Sequence, residues 1–217
     1  IRLISDIHLD HHIEDWYHGP KKRSHPCDMD MLWYPPALDT DLDTCLVVAG
    51  DIWAERKFIT RTHPASGMSW LDVVSDQFKY VVFILGNHDF WGKNFSDEAL
   101  KISRVLDTAK ANGKLTNVHF LEKSLVVCDQ VKLVGAVFWT DFDKQAPLAI
   151  LQAAARMNDY NFIREGEEYR KLRASTVLKD HLAAKKFIFE NSKKDHPDQV
   201  VIVVTHHSPF TQSYDSA

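Results

Sequence analysis

Cysteine is scarce. The 217 residues contain three, Cys27, Cys45 and Cys128, an odd number without Cys-x-x-Cys spacing. Neither a disulfide framework nor a zinc ribbon organises such a chain, and a reducing, cytoplasmic setting is expected. Positive charge is not in excess either, because 26 Lys and Arg stand against 30 Asp and Glu, for a formal net charge of −4. A protein built mainly to grip a nucleic acid backbone or an anionic membrane surface would be basic. No uninterrupted apolar stretch approaches the roughly 18 residues of a membrane-spanning helix. Fixed-period repeats and low-complexity tracts are absent as well. What remains is 45% apolar and 11% aromatic content, too much for a disordered chain and enough for one sizeable core. A single domain over residues 1–217 is expected.

Histidine is the compositional surplus: twelve in all, five within the first 25 positions. The chain opens at Ile1 in an apolar run without an initiator Met, so an upstream segment is expected to have been removed. Short runs rich in Val, Ile and Leu recur at 1–5, 45–49, 80–85, 131–137 and 200–205, and they read as buried strands. Shorter runs at 118–121 and 125–128, with Asp129-Gln130 as a two-residue turn, predict consecutive antiparallel strands leading into the 131 run. Helical patterns lie between. One is capped by Ser96, carries Asp97 and Glu98 in its first turn and buries Ala99, Ile102, Leu106 and Ala109 before Gly113. Others span 70–78 and 147–157, and a last one starts near Ser175 or Thr176 and buries Leu178, Leu182, Phe187 and Ile188. The long irregular stretches 10–43 and 54–69 are of the kind that line binding sites.

The chemistry-bearing residues sit where the apolar runs end. The first run leads into Asp6-Ile7-His8, and strand alternation puts Asp6 and His8 on one face. Alone, that pair reads equally as a capping carboxylate and a hydrogen-bonded imidazole. The second run ends in Gly50-Asp51, which alone is a common turn. The third ends in Gly86-Asn87-His88-Asp89, a mixture of amide, imidazole and carboxylate that no turn requires. The fifth ends in Thr205-His206-His207. In open α/β sheets, ligands bind at the carboxyl ends of strands. Four strand ends thus offer Asp, His, Asp, Asn, His and His to one rim. Nitrogen and oxygen donors without thiolate suit Mn, Fe, Zn or Ni, and two carboxylates share a rim at low cost only when cations neutralise them.

In these residues the sequence resembles the calcineurin-like metallophosphoesterase family, whose motifs Asp-x-His, Gly-Asp, Gly-Asn-His-Asp and a strand-ending His occur here in order. The stretches Gly135 to Asp141 and Met157 to Tyr160 look like a bacterial and phage-type subgroup, so the resemblance covers nearly the whole chain. It implies that Asp6 and His8 bind one metal, Asp51 bridges two, and Asn87 and His206 bind the other, with Mn favoured. His88 is then the catalytic histidine and Asp89 orients its ring. His207, Tyr160 and Arg164 are candidates for substrate contact, as are Asn158 and Asp159. Trp53, Phe90 and Trp91 either stack on substrate or pack. The family's last motif, Gly-His-x-His, does not occur in the 217 residues. A fragment lacking its C-terminal part is therefore expected, with solvated loop placement the simpler reading of His11, His12, His18 and His25.

The fold implied is α/β, a four-layer αββα sandwich of two mixed sheets with helices outside. The function implied is metal-dependent hydrolysis of a small phosphorylated or nucleotide-like substrate, as phosphodiesterase or phosphomonoesterase, with metal-bound hydroxide as nucleophile. A non-catalytic scaffold of the same fold predicts lost ligands or a lost His88, which is not what the motifs look like. A nuclease fits the slightly acidic charge less well.

Overall fold

A computed structural model describes residues 1–9, 32–53, 56–63 and 65–210. β1 (Arg2–Ile4), β2 (Cys45–Ala49), β3 (Tyr80–Ile84) and β4 (Val118–Phe120) form one sheet in that order. Every neighbouring pair is parallel, with Leu3 opposite Val47, Val47 opposite Val82, and Phe83 opposite Phe120. Parallel strands need crossovers, and α1 (Lys57–Thr60) with α2 (Trp70–Gln77) supplies one, α3 (Glu98–Ala111) the next. The first sheet is therefore wholly parallel where a mixed one was expected.

The second sheet holds β5 (Ser124–Cys128), β6 (Val131–Ala136) and β9 (Val200–Thr205). β5 and β6 are antiparallel around the Asp129-Gln130 turn, while β6 and β9 run parallel. Asp129 adopts φ 55°, which a carboxylate side chain tolerates better than most. This sheet is mixed, as expected. The run at 118–121 departs from expectation, because β4 pairs with β3 in the first sheet and the chain crosses to the second sheet before β5. β7 (Arg164–Glu165) and β8 (Arg170–Lys171) form a separate antiparallel ribbon.

Alternation along the strands divides the core in two. Leu46, Val48, Val81 and Phe83 face a large cluster that includes Trp70, Leu71 and Val74 of α2 and Ile102 and Leu106 of α3. Val47, Ala49, Val82 and Ile84 face the other way, where they share one cluster with Leu133, Cys128 and Val204 of the second sheet. Both faces of β2 and β3 are thus buried, which is why their sequences read as unbroken apolar runs. A fully buried Leu133 is worth roughly 2 kcal/mol relative to an exposed one.

Helix boundaries follow local chemistry. Ser69 and Asp72 form a capping box on α2: the Asp72 N–H donates to the Ser69 hydroxyl at 3.2 Å, and the Ser69 N–H donates back to the Asp72 carboxylate at 2.7 Å. α3 starts one residue later than expected. Asp97 is its N-cap, and the Ser96 hydroxyl donates instead to Asn94 Oδ1 at 2.9 Å. α4 (Phe142–Gln145) is a single turn with positive φ at all four residues, α5 (Pro147–Arg156) follows with Pro147 in its first turn, and α6 (Asp159–Phe162) is short. In α7 (Ala174–Asn191) the buried residues are Val177, His181 and Ala184, while the expected Leu182 is 48% exposed. The His181 ring Nδ1 meets the Trp139 carbonyl, and that bond lets a histidine-bearing face turn inward in place of the leucine-bearing one. Among the described residues no helix is long and apolar enough to cross a membrane.

Candidate metal centre

The segments after β1 and β2 are stitched together by their backbones: Asp6 N–H donates to the Gly50 carbonyl at 3.1 Å, His8 N–H to Asp51 at 3.0 Å, and Leu9 N–H to Ile52 at 2.8 Å. Asp6, His8 and Asp51 all sit in the left-handed region, with φ of 52°, 39° and 52°. L-residues avoid that region, and its recurrence at three neighbouring acid and imidazole positions is the pattern of strain held at a functional site. Two glycines make the close approach possible. A Cβ on Gly86 would lie 2.1 Å from Asp51 Oδ1, and one on Gly50, already at φ 91°, would lie 2.6 Å from His206 Nδ1.

Two sets of ligand atoms converge, His8 with Asp51 and His88, and Asp6 with Asp51 and His206, each set within 4.8 Å. Asp51, 3% exposed, belongs to both. Its Oδ2 lies 3.5 Å from His8 Nε2, and its Oδ1 lies 3.6 Å from His206 Nε2. The grouping differs from the expected one, for Asp6 sits with His206 and His8 with His88.

The protonation of His206 follows from its partners. Its Nδ1 lies 2.8 Å from the Ala49 carbonyl, which can only accept, so Nδ1 carries a hydrogen, and in the neutral ring Nε2 is the lone pair left for a ligand. That lone pair faces Asn87 Oδ1 at 3.1 Å. The Asn87 amide is in turn oriented by Asp159, which takes its Nδ2 hydrogen bond at 2.8 Å and a second from Trp91 Nε1 at 2.8 Å. An imidazole nitrogen therefore has an amide oxygen at 3.1 Å and a carboxylate oxygen at 3.6 Å. A divalent cation satisfies all three, and a carbonyl holding the far nitrogen of a ligating histidine is the usual support for such a site. The residues present fit a metal.

The other expected site residues lie around these sets. Asp89 is fastened to the backbone of the loops that carry Asp51 and His88. Its buried carboxylate accepts four backbone N–H groups, from Gly86 at 2.8 Å, Asp51 at 3.0 Å, and Ile52 and Trp53 at 3.2 Å. Burial and the nearby Asp51 carboxylate push its pKa up to about 7 against the pull of those donors. His88 stacks on Trp91 with ring centroids 3.8 Å apart, stands edge-on to His8 at 4.8 Å, and donates its backbone N–H to Asp51 Oδ1 at 2.9 Å. His207 lies 5.0 Å from the His206 ring and 5.1 Å from Trp139, with its buried Nδ1 unpartnered. Burial, above all, pushes its pKa down to about 4.

Tyr160 is 6% exposed and packed in the larger core cluster, and Arg164 donates to the Asn161 carbonyl at 3.0 Å. Trp53 and Phe90 are core residues. His11, His12, His18 and His25 lie outside the described residues. Asp159 is the residue whose part sequence reasoning missed. It stood out only as a possible substrate contact, and nothing in its local sequence reveals a hydrogen bond to a position 72 residues away. A crevice of about 650 Å³ lined by Phe95, Phe120, Lys123, Trp139 and Asp180 contains none of the converging ligands.

No family model matches the chain, and no curated protein matches it. Among solved structures it is similar to phosphopantetheinyl hydrolase from Mycobacterium tuberculosis, at 16% identity and a TM-score of 0.59 over 99% of this chain and 70% of that one. The assignment to the calcineurin-like metallophosphoesterase family is corrected accordingly: no family model supports it, and the structural likeness is to a protein named for a different group. Short strand-end motifs report what a site's chemistry demands and do not by themselves carry a lineage. What the likeness establishes is a shared mixed α/β fold.

Proposed function

We propose that this protein is a metal-dependent hydrolase of phosphate esters acting on a small phosphorylated substrate. The observation that carries the reading is the meeting of His206 Nε2 with Asn87 Oδ1 at 3.1 Å and with Asp51 Oδ1 at 3.6 Å, a nitrogen and two oxygens of the kind that bind a divalent cation. The name of the structural neighbour adds weight, since a phosphopantetheinyl hydrolase is a hydrolase of a phosphorylated organic group. A four-layer arrangement, helices outside two stacked sheets, is the architecture we assign, on the strength of the inter-sheet cluster.

In this reading Asp6, Asp51, Asn87 and His206 would hold one divalent ion, and Asp51 with His8 would hold a second. When bound, such ions neutralise the carboxylates, attract phosphate oxygens and acidify water. The chain's own residues do the rest. Asp51 belongs to both sets of converging side chains and ties them together. Asn87 contributes an oxygen without charge, which leaves the site attractive to an anion. Asp159 keeps that oxygen turned inward. His88, steadied by the Trp91 ring, is within reach of the same rim and donates a proton to the departing alkoxide oxygen. Asp89 holds the two loops that carry Asp51 and His88 in fixed register.

The test is hydrolysis of aryl phosphate mono- and diesters, and of a phosphopantetheinyl ester, with added Mn²⁺. Native protein is expected to turn over at least one class, with the activity removed by chelator. Equal hydrolysis by native protein and Asp51→Asn contradicts the proposal.

A further inference from the structure

We propose that Cys45 and Cys128 are an oxidisable pair that closes into a disulfide joining the two sheets. The placement follows from strand alternation. In β2, Val47 and Ala49 face the inter-sheet cluster, so Cys45, two residues before Val47, faces it too, and it packs there. In β5, Leu125 and Val127 are 39% and 49% exposed, so Val126 and Cys128 point the opposite way, and Cys128 is 4% exposed within the same cluster.

Both thiols lie at the end of the sheets remote from the metal ligands. Cys45 opens β2, whose far end leads to Asp51. Cys128 closes β5, which runs antiparallel to β6, and β6 is parallel to the strand that ends at His206. That end is already fastened. Tyr80 is the register partner of Cys45, and its hydroxyl donates to Asp129 at 3.3 Å, while the adjacent Lys79 donates to the same carboxylate at 2.8 Å. The residue after Cys128 is thereby anchored to the strand beside Cys45. The neighbouring Cys45 thiol holds the Cys128 thiol below its ordinary pKa, making it the first to react.

The chemistry balances with hydrogen peroxide as oxidant. The Cys128 sulfur attacks one peroxide oxygen, breaking the O–O bond, to give a sulfenic acid and one water. The Cys45 sulfur then attacks that sulfur, its proton leaves with the displaced hydroxyl as a second water, and the S–S bond forms. Two thiols are oxidised and one peroxide is reduced. A thiol reductant reverses the link.

Peptide mapping of the native chain after peroxide treatment and alkylation tests this. The expected result is a linked pair of peptides containing Cys45 and Cys128, lighter by two hydrogens, unreactive to alkylation, and separated again by reductant. Alkylation of both thiols after treatment, separate over-oxidation of each, or a link from either one to Cys27 or to another molecule overturns the proposal.

Discussion

The side-chain carboxylate of Asp89 accepts the backbone N–H of Asp51 at 3.0 Å, tying the loop after β3 to the loop after β2. The bond is one of four that converge on the same two oxygens, and it decides what Asp89 does. A carboxylate committed to four amides is a clasp for the ligand loops. Asp89→Ala strips four buried N–H groups of their acceptor, and each unsatisfied donor costs about 1–3 kcal/mol. The expected outcome is a loss of about 3 kcal/mol or more of stability in urea denaturation. An unchanged midpoint removes the clasp from the account.

Asp159 acts one step further out. Without its carboxylate, the Asn87 amide is free to turn its nitrogen toward His206. Asp159→Ala is expected to fold and to weaken Mn²⁺ binding by about 10–100-fold in calorimetric titration, the usual effect of losing a group that orients a ligand. Native affinity in this variant disproves the positioning role.

Much of this centre is legible in the amino-acid order, and the illegible part has a physical cause. Asp6, His8, Asp51, Asn87, His88 and His206 stand out because each follows an apolar strand, and parallel strands bring their carboxyl ends to one edge. Which ligand neighbours which is not encoded locally. It depends on the left-handed turns at Asp6, His8 and Asp51, which swing side chains away from simple alternation. The same limit explains β4: its short apolar run is equally suited to a hairpin with β5 or to the parallel edge it takes beside β3. In α7, the pattern of large apolar residues pointed to Leu182, but the polar contact from His181 to Trp139 chose the other face. The motifs also suggested a lineage, which the comparisons do not support.

His88 separates ligand from catalyst. If its imidazole serves the leaving group, His88→Ala retains bound metal while kcat falls by about 10²–10⁴-fold, the range for removal of a positioned acid. Metal content by elemental analysis and turnover are measured on the same sample. Loss of metal in parallel with activity reassigns His88 to the coordination of the ion beside His8.

A pH prediction comes from the opposite side of the fold. Asp41 is 2% exposed and accepts from Gln77 Nε2 at 2.7 Å, Arg2 Nη1 at 2.7 Å and the Leu38 N–H at 2.9 Å. Burial opposes its ionisation, but the Gln77 and Arg2 donors outweigh that and hold its pKa below the ordinary 3.8. A depressed folded-state pKa means the stabilisation is complete above the unfolded value and disappears as pH falls through the folded one. Native protein is therefore expected to lose more stability between pH 5 and 2 than Asp41→Asn, by roughly the factor that one extra bound proton implies. Parallel acid-denaturation curves for the two proteins contradict this.

The central claim is a pair of cation positions sharing Asp51, and anomalous scattering from crystals grown with Mn²⁺ measures it most directly. The account predicts anomalous density on both sides of the Asp51 carboxylate, one peak toward Asp6, Asn87 and His206 and one toward His8. Manganese density away from Asp51, or none within coordination distance of its oxygens at saturating metal, contradicts it.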